Sequence, residues 1–297
     1  MLNNTSLAFI GSGTMAEAMI KGILNNGLTA PHRITASGPR AERGQELEGR
    51  YGVRSTTDNK EAAQASDIVV LSIKPQVLPF VLHDLHGLIR PHQLVFSIVA
   101  GTHTQTIARG LRHGAIVRVM PNTPAQMGEG MSVWTGTPEV TEEQHAQARA
   151  ILQALGEEIY VESEDALDMA TALSGTGPTY VFLVMEALVE AGVPLGFSRR
   201  VARKLVLQTV LGSVLFAGES GRHLAELRNM VTSPGGTSAE AIYQLEKGGL
   251  RTIISKAVWA AYQKSRLLGE MSSKRGLRST SPLESPGIPT EGFEEHE

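Results

Sequence analysis

The chain has 297 residues, a length that suits two domains better than one. Its composition is 41% apolar and 19% charged, with a formal net charge of -3. This balance gives no basic footprint for nucleic acid and no polybasic block for an anionic membrane surface. The sequence contains no cysteine, which excludes disulfides, a thiolate nucleophile and a cysteine-ligated metal.

Short apolar runs alternate with helical patterns in the first half of the chain. Several runs are nearly unbroken in Val and Ile, as expected for strands buried on both faces of a parallel sheet. The predicted strands are Leu7–Ile10, Arg33–Ser37, Ile68–Ile73, Leu94–Val99, Ile116–Met120, Met131–Trp134 and Glu158–Val161. Helical patterns such as Ala16–Asn25, Ala41–Glu48 and Thr104–Arg112 lie between them. This alternation predicts an α/β domain with a doubly wound sheet over residues 1–163.

Strand patterns stop near Glu164, and only helical patterns follow. The predicted helices are Leu167–Leu173, Pro178–Ala191, Arg199–Ala217, Leu224–Met230, Ser238–Glu246 and Arg251–Leu268. Gly192, Gly218 and Gly248 suit the ends of these helices, because glycine tolerates the left-handed conformation that often follows a last turn. The sequence therefore predicts an all-α domain over residues 164–271.

The final segment, residues 272–297, has a different composition. It carries Pro282, Pro286 and Pro289 among Ser, Gly and Glu, which predicts a disordered tail. At the other end, Met1–Ser12 lacks the charged and apolar regions of a signal peptide. The longest apolar stretch, Tyr180–Val189, is far shorter than the roughly 20 residues of a spanning helix. We expect a cytoplasmic protein without membrane contacts.

The first predicted strand runs into Gly11-Ser12-Gly13-Thr14-Met15-Ala16, which opens a helix. Gly11 permits a tight turn, and Gly13 lets the backbone approach a pyrophosphate closely. Ala16 is small enough for close packing of the helix on the strand. The N–H groups and the positive dipole end of the helix favour phosphate. A Gly-x-Gly-x-x-Ala turn in this position predicts a dinucleotide site; the alternative is a tight turn that binds nothing.

The second predicted strand ends without an acidic residue for the ribose 2′-hydroxyl of NAD. The sequence there reads Ser37-Gly-Pro-Arg40, and Arg43 follows. A hydroxyl and guanidinium groups suit a 2′-phosphate, because the arginine fork matches phosphate oxygens. These residues favour NADPH, with NADH as the alternative; Arg40 and Arg43 are otherwise ordinary solvated charges.

Further candidates follow the next strands, at the edge of the sheet where doubly wound folds bind their ligands. Pro75 cannot continue a central strand, and Lys74 before it places a cation beside the crevice. The segments Ser97–Gly101 and Arg118–Pro124 stand in the same position after later strands. Each is also explained as a strand-ending turn. The candidates for the cofactor are Ser72, Lys74, Pro75, Ala100 and Gly101.

The helical part contains the most informative segment, residues 231–240, which reads Val-Thr-Ser-Pro-Gly-Gly-Thr-Ser-Ala-Glu. Its turn-forming residues between two helices expose backbone N–H groups next to a helix start, which is a preformed carboxylate site. Thr237 and Glu240 also match a capping box, so capping alone explains Thr237. The hydroxyl of Ser238 is not needed for that cap. A second glycine-rich turn, Ser174–Pro178, has two explanations. Helix initiation with close packing of neighbours accounts for it at least as well as direct contact with a ligand.

Taken together, these motifs resemble the pyrroline-5-carboxylate reductase family over roughly Leu7–Leu268. The resemblance is carried by Gly11–Ala16, Lys74-Pro75, Ala100-Gly101, Arg118–Pro124, Leu173–Tyr180 and, most specifically, Val231–Thr237. It implies a Rossmann domain and a helical dimerisation domain that form a homodimer or a higher homo-oligomer. The implied reaction is the NAD(P)H-dependent reduction of 1-pyrroline-5-carboxylate to L-proline, the last step of proline biosynthesis.

The resemblance also assigns roles to residues of this sequence. The nicotinamide of one chain meets the Pro-Gly-Gly loop of its partner, where N–H groups around Gly236, Thr237 and Ser238 hold the substrate carboxylate. The implied substrate-binding residues are Glu164, Ser233, Gly235, Gly236, Thr237 and Ser238, and Asn59 matches a position near the cofactor. Ser238 and Thr237 are the predicted catalytic residues, with the Ser238 hydroxyl at the ring nitrogen and solvent as the final source of the proton.

Two positions depart from the usual pattern of this family. The family usually has Thr at position 238, and some members have Asn where this chain has Met230. Serine keeps the hydroxyl but loses the methyl group that fixes its rotamer. At position 230 a side-chain amide contact is lost or is supplied by another group.

Other functions remain as alternatives. A β-hydroxyacid-type dehydrogenase would need a catalytic lysine in the helical domain, but Lys204 and Lys256 lack the expected Gly-x-x-x-Lys context. Reduction of another cyclic imine and a nucleotide-binding regulator without catalysis are the other two. His83 and His86 have a spacing that suits a metal, but no third ligand is placed nearby, so we predict no metal site.

Overall fold

The computed structural model describes Leu2 and residues 4–278, with the side chains of residues 271–278 excepted. Its strands form one eight-stranded sheet in the order β3-β2-β1-β4-β5-β6-β7-β8. The strands are β1 (Leu7–Ile10), β2 (Ile34–Ser37), β3 (Arg54–Thr56), β4 (Ile68–Leu71), β5 (Leu94–Ser97), β6 (Ile116–Met120), β7 (Gly130–Gly136) and β8 (Gly156–Tyr160). All neighbours run parallel except β6 and β7, which are antiparallel. Two halves that diverge from β1 and β4 are the topology of a Rossmann domain.

Helices connect these strands and cover both faces of the sheet. They are α1 (Thr14–Asn25), α2 (Ala41–Tyr51), α3 (Asn59–Gln64), α4 (Leu78–Asp84), α5 (Thr104–Leu111) and α6 (Glu142–Gln153). Successive residues of β1 face opposite cores, as the period of two in a strand requires. Phe9 lies in a core with Met19 and Trp134, whereas Ile10 lies in a core with Val69 on the other face.

The predicted doubly wound domain followed by helices is therefore confirmed, and each predicted strand is present with a shift of one to two residues at some ends. The sequence pattern missed β3, a three-residue edge strand with no large apolar side chain. An edge strand buries little, so it leaves no apolar run in the sequence.

The second part of the chain is entirely helical. It contains α7 (Asp165–Ala170), a π-helical turn (Thr171–Gly175), α8 (Gly177–Gly192), α9 (Arg199–Ser220), α10 (Leu224–Met230), α11 (Thr237–Lys247) and α12 (Leu250–Arg278). The prediction that Gly218 ends a helix is wrong, because α9 continues to Ser220 and ends at Gly221 with φ 61°. Gly221 is the residue that adopts the left-handed conformation, which suits glycine.

Helix α12 also changes the boundary predicted for the tail. The helix continues to Arg278, so residues 272–278 are helical rather than part of a tail. The rest of the predicted tail, residues 279–297, lies outside the described residues.

The long helices of this part leave many large apolar side chains exposed. Examples are Phe182, Leu188, Leu211 and Val214 on α8 and α9. By length and composition alone, the helical stretches Asp165–Gly192 and Arg199–Ser220 would suffice to cross a membrane. An apolar surface of this extent marks an interaction surface, because soluble proteins rarely leave one uncovered.

Candidate active site

The turn between β1 and α1 requires glycine at its first position. Gly11 has φ 103°, which L-amino acids with a side chain rarely adopt. A Cβ atom at Gly11 would also lie 2.6 Å from the backbone oxygen of Ser72 at the end of β4. The Ser72 hydroxyl donates a hydrogen bond of 2.8 Å to the Gly11 carbonyl oxygen. Ser72 therefore fixes the turn through its side chain and its backbone.

At Gly13, by contrast, neither the backbone conformation nor any contact within the protein requires glycine. Its φ of -77° suits any residue, and a Cβ atom there would meet no protein atom within 4 Å. Gly13 precedes α1 without a side-chain cap, and the N–H groups of Thr14, Met15 and Ala16 have no acceptor among the described residues. Free N–H groups beside a position with room for close approach fit the pyrophosphate of a dinucleotide.

The two candidate arginines differ in their contacts. Arg43 donates from Nε to the Ser12 carbonyl oxygen at 3.0 Å and forms salt bridges with Glu17 and Glu46. The guanidinium of Arg40, directly before α2, has no hydrogen bond or ion pair within the described part of the chain, although the Arg40 carbonyl oxygen accepts from the Gly44 N–H. Both arginines line an open cleft of about 450 Å³ in front of Gly13. Arg40 is thus the cation available to a ligand in this cleft.

Glu17 completes the support of the turn. Its carboxylate accepts hydrogen bonds from Arg43, Arg50 and Tyr51. Burial alone raises the pKa of Glu17, but the hydrogen bonds from Arg43 and Tyr51 outweigh it and leave the pKa below its ordinary value. Glu17 is therefore a neutralised anion that joins α1 to α2.

At the end of β2, Ser37 faces the protein interior. It is fully buried and donates its hydroxyl to Asn59 Oδ1 at 2.7 Å. Asn59 in turn lies with its Nδ2 atom 3.4 Å from Asp84 Oδ2. Ser37 consequently orients Asn59, and its assignment to the cofactor stays a prediction.

The loops after β4 and β5 lie at the same edge of the sheet as the Gly11–Gly13 turn, because these strands run parallel to β1. Lys74 is exposed and has no ion pair among the described residues, and Pro75 follows it in a turn. Gly101 adopts φ 64°, and a Cβ atom there would lie 3.2 Å from Leu268 Cβ in α12. Gly101 thus brings the helical domain to the end of β5, beside Ala100.

Glu164 lies where the two domains meet. Arg118 Nη1 in β6 donates to Glu164 Oε1 at 2.8 Å, and the Thr104 backbone N–H donates to the same oxygen at 2.7 Å. The Thr104 hydroxyl donates to Glu164 Oε2 at 3.0 Å. His103 Nδ1 lies 3.7 Å from that oxygen, which is an ion-pair distance rather than a hydrogen bond. Both carboxylate oxygens therefore already have donors in the chain.

The donors around Glu164 lower the pKa of its carboxyl group. Burial raises its pKa, but His103, Arg118 and the Thr104 amide outweigh burial and hold the pKa at about 2. Glu164 in turn raises the pKa of His103 against the opposing effect of burial. Glu164 is thus an anion at neutral pH whose charge is compensated mainly by Arg118.

The glycine-rich turn Ser174–Pro178 packs on the loop after β6. Asn122 Nδ2 donates to the Ser174 carbonyl oxygen at 3.1 Å, and Asn122 Oδ1 accepts from the Met131 backbone N–H at 2.9 Å. A Cβ atom at Gly175 would lie 2.7 Å from the Met120 methyl carbon. The turn is therefore used for close packing of the two domains.

The Pro-Gly-Gly loop forms a tight turn before α11. Gly236 donates its backbone N–H to the Ser233 carbonyl oxygen at 3.0 Å, and Gly235 between them has φ 71°. Pro followed by Gly at these positions is the pattern of a type II turn. The backbone N–H groups of Thr237 and Ser238 have no acceptor within the described part of the chain. Two free donors thus open α11, while the Gly236 donor is already occupied.

The predicted capping box is wrong. Gly236 rather than Thr237 precedes α11, and no side chain caps this helix. The Glu240 carboxylate accepts a hydrogen bond from Gln244 instead of reaching back. The Thr237 hydroxyl therefore has no capping duty: it is exposed, and Ser238 beside it is half-buried.

The structure brings the predicted residues together in two groups. The cofactor candidates lie along the carboxyl ends of β1, β2, β4 and β5. The Pro-Gly-Gly loop forms the second group, and no hydrogen bond or ion pair in the described part of the chain joins residues 231–238 to the Rossmann domain. Glu164 belongs to neither group, because it lies at the junction of the domains.

Sequence reasoning missed Arg43 as a support, and it missed the contacts of Arg118, Asp168 and Ser265. A signal was available for Arg118, since a charged residue between Val117 and Val119 in a buried strand needs an ionic partner. The partners themselves are 46 to 97 residues apart in sequence and show no local pattern.

Comparison with known proteins gives a consistent result. The model of the family described as pyrroline-5-carboxylate reductase dimerisation matches residues 164–268, and that of NADP oxidoreductase coenzyme F420-dependent matches residues 6–101. The chain is 43% identical over 265 residues to a pyrroline-5-carboxylate reductase of Synechocystis sp., covering 89% of this chain and 98% of that protein.

Solved structures agree with these matches. The pyrroline carboxylate reductase of Plasmodium falciparum with NADP bound has a TM-score of 0.83 and 32% identity, covering 91% of this chain and 100% of that one. A pyrroline-5-carboxylate reductase from Coxiella burnetii has a TM-score of 0.82 and 38% identity, covering 90% and 99%. With these identities over nearly the full length of its relatives, the chain belongs to the pyrroline-5-carboxylate reductase family.

Proposed function

We propose that this chain reduces 1-pyrroline-5-carboxylate to L-proline with NADPH. The observation that carries the proposal is the pair of free N–H donors at Thr237 and Ser238, in a loop that family membership connects with this reaction. The substrate has a carboxylate beside a C=N bond. Donors at a helix start bind the carboxylate, and this leaves the double bond beside the hydroxyl groups of the loop.

The cofactor candidates suit NADPH. The free N–H groups of α1 and the room at Gly13 fit the pyrophosphate, and Arg40 offers a free guanidinium to the 2′-phosphate. When bound, NADPH supplies a hydride to the imine carbon. Lys74, Pro75, Ala100 and Gly101 lie at the strand ends where the nicotinamide half of a dinucleotide extends. Because the Arg40 side chain is exposed to solvent, NADH can also bind, but with a lower affinity, since its ribose has no 2′-phosphate for Arg40 to contact.

The protein has to orient the imine and provide for its proton. The ring nitrogen gains one proton as the carbon gains the hydride, and the product is a secondary amine. The Ser238 hydroxyl is half-buried and has no hydrogen-bond partner among the described residues. We assign it to the ring nitrogen, with solvent as the final proton source, and we assign Thr237 to the carboxylate. Fixed alignment of two reactants lowers a barrier by on the order of 7–11 kcal/mol in ideal cases.

A homodimer completes the site. Within one chain no hydrogen bond or ion pair among the described residues joins the Pro-Gly-Gly loop to the cofactor residues, and α8 and α9 leave wide apolar faces exposed. Packing of these faces against a partner's helices covers them and brings the partner's loop to the nicotinamide. The same packing accounts for the apolarity of both helices without a membrane, so we place the enzyme in the cytoplasm.

Steady-state kinetics with three substrates tests the proposal. NADPH oxidation should be fast with 1-pyrroline-5-carboxylate, slower with a six-membered cyclic imine and absent with a β-hydroxyacid. Ser238→Ala should lose most of its turnover, about 100-fold, because it removes the partner of the ring nitrogen. NADPH binding by fluorescence should not change in this variant. Wild-type turnover by Ser238→Ala would remove Ser238 from the reaction.

A further inference from the structure

Strand β6 carries a buried cation that reaches into the helical domain. Arg118 is only 3% exposed, and its strand neighbours Val117 and Val119 are buried as well. Its guanidinium lies 2.8 Å from Glu164 Oε1 and 3.7 Å from Asp168 Oδ1. An unpaired cation at such a depth is strongly destabilising, so the pairing of this side chain holds the start of α7 against the sheet.

The contact continues to the last helix of the chain. Asp168 accepts a hydrogen bond of 2.7 Å from the Ser265 hydroxyl in α12, and both residues are at most 4% exposed. Arg118, Asp168 and Ser265 thus form a buried polar path from β6 through α7 to α12. No helix of the Rossmann domain takes part in this path.

Four residues after Arg118, Asn122 makes a second connection. Its side-chain amide donates to the Ser174 carbonyl oxygen in the π-helical turn and accepts from the Met131 N–H in β7. Both ends of the amide are used, one in each domain. We call Arg118 and Asn122 the β6 clamp, because they hold the helical domain at two points from one strand end.

The position of the clamp connects it with the reaction. Strand β6 is parallel to β5, with Arg118 beside Ser97, so its end lies at the edge of the sheet that carries the cofactor candidates. The helical domain that the clamp holds contributes the dimer faces, through which the partner's Pro-Gly-Gly loop is placed. Resting on the proposed function, we infer that the β6 clamp is a positioning device that sets the distance between the nicotinamide and the partner's substrate loop.

A purely stabilising role would have a different signature. If the clamp only holds the fold together, its loss lowers the melting temperature and leaves the folded enzyme normal. If it sets the distance for hydride transfer, its loss slows that step in folded enzyme. A primary deuterium isotope effect separates the two, because it rises towards its intrinsic value when hydride transfer becomes rate-limiting.

Asn122→Ala is the main variant, and Gln93→Ala is its matched control. Like the half-buried Asn122, the buried Gln93 is an amide with bonds at both ends, to the Arg90 N–H and to the carbonyl oxygens of Ala63 and Ser66, but all its partners lie within the Rossmann domain. Both variants lose an amide that joins backbone segments. Only Asn122→Ala opens the junction between the domains.

The measurement uses the full dimeric enzyme with NADPH or with NADPH deuterated at the transferred position. In Asn122→Ala we expect kcat to fall about tenfold or more, which is about 1.4 kcal/mol in the barrier, with the isotope effect increased and the KM for NADPH within about twofold of wild type. Gln93→Ala should keep both kcat and isotope effect while its melting temperature falls.

A second pair keeps the test decisive if Asn122→Ala folds poorly. Arg118→Lys preserves the charge towards Glu164 but loses the fork that also approaches Asp168, and Ser265→Ala removes the far end of the path. Both should raise the isotope effect by less than Asn122→Ala. An unchanged isotope effect in all three variants overturns the inference, as does an equal rise in Gln93→Ala. Failure of the proposed function is seen separately, as wild-type enzyme without turnover of 1-pyrroline-5-carboxylate.

Discussion

Arg43 donates a hydrogen bond from Nε to the carbonyl oxygen of Ser12, at 3.0 Å, in the turn between β1 and α1. The remaining nitrogens of the same guanidinium are engaged with Glu17 and Glu46. Arg43 would therefore have to break contacts with α1 to bind a ligand phosphate. The side chain of its neighbour Arg40, three residues earlier, has no such contacts, so we propose that Arg43 supports the turn and Arg40 binds the ligand.

The first prediction separates these two roles. Arg40→Ala should raise the KM for NADPH about tenfold and leave the KM for NADH unchanged, because a charge-assisted bond to a phosphate contributes about 1.5–3 kcal/mol. Arg43→Ala should raise the KM for NADPH and the KM for NADH by a similar factor, since it loosens the turn that we propose binds the pyrophosphate present in both cofactors. Steady-state kinetics with each cofactor measures both effects. Equal losses of NADPH and NADH in Arg40→Ala would contradict this division.

The second prediction concerns the room at Gly13. Gly13→Ala should leave the melting temperature within about 2 °C of wild type, since φ -77° suits alanine and no protein atom meets the new methyl group. NADPH affinity should fall more than about tenfold, because the methyl group occupies the space in which the pyrophosphate approaches the backbone.

Two other glycines serve as controls for this variant. Gly49→Ala, in an exposed turn of α2 with no atom within 4 Å of the new Cβ, should leave NADPH affinity unchanged and raise the melting temperature slightly, because alanine favours a helix over glycine. Gly11→Ala should lower the melting temperature strongly, because its Cβ would lie 2.6 Å from a backbone oxygen and φ 103° is strained. Unchanged NADPH titration of Gly13→Ala would rule out a phosphate at this turn.

Much of this architecture was predictable because it depends on local patterns. The apolar runs that became β1, β4, β5 and β6 are buried on both faces, and such strands have a strong sequence signature. Glycine positions were partly predictable: Gly11 is needed for its conformation, whereas Gly218 lies within α9 like any other residue. The capping box failed because Gly236 takes the preceding position, and the sequence match alone cannot tell which residue starts the helix.

The unpredicted part of the site depends on long-range pairing. Neither Arg43 with Ser12 nor Arg118 with Glu164 has a spacing that a helix or strand period would reveal. Such pairs exist because the topology places β6 beside α7 and α2 beside the phosphate turn. A single sequence shows only that Arg118 is a charge in an apolar strand and needs a partner somewhere.

The third prediction is a dependence of stability on acid. The pKa of Glu164 lies at about 2 in the folded chain against an ordinary value of 4.5, so its contribution is fully present above pH 4.5 and is lost as the pH falls towards 2. Glu164→Gln should lower the free energy of unfolding at pH 7 by up to about 3 kcal/mol and flatten its change between pH 5 and 2. Chemical denaturation at a series of pH values measures this.

His103, at the same site, makes stability depend on pH in the opposite direction. Its folded pKa is raised above 6.5, so its contribution is present below pH 6.5 and is lost as the pH rises through the folded value. In His103→Asn the free energy of unfolding should therefore no longer fall as the pH rises above 6.5. Its decrease between pH 5 and 2, which comes from Glu164, should remain. An acid limb in Glu164→Gln as steep as in wild type would show that other carboxylates dominate it.

The fourth prediction tests whether the exposed apolar face of α9 is covered by a partner chain. Leu211 and Leu215 are each more than half exposed and lie one helical turn apart, so they share one stripe of the helix. Changing both to lysine places two charges on the face that we propose to pack against a partner chain, where desolvation without partners costs several kcal/mol. Sedimentation velocity should show monomers, and turnover should fall more than about 100-fold because no partner loop reaches the nicotinamide, while NADPH titration stays within about twofold of wild type.

The matched control adds the same charges to the Rossmann surface as Gln64→Lys and Gln153→Lys, both at exposed positions, and should remain dimeric and active. A monomeric variant with full turnover would instead mean that one chain closes its own Pro-Gly-Gly loop over its own cofactor.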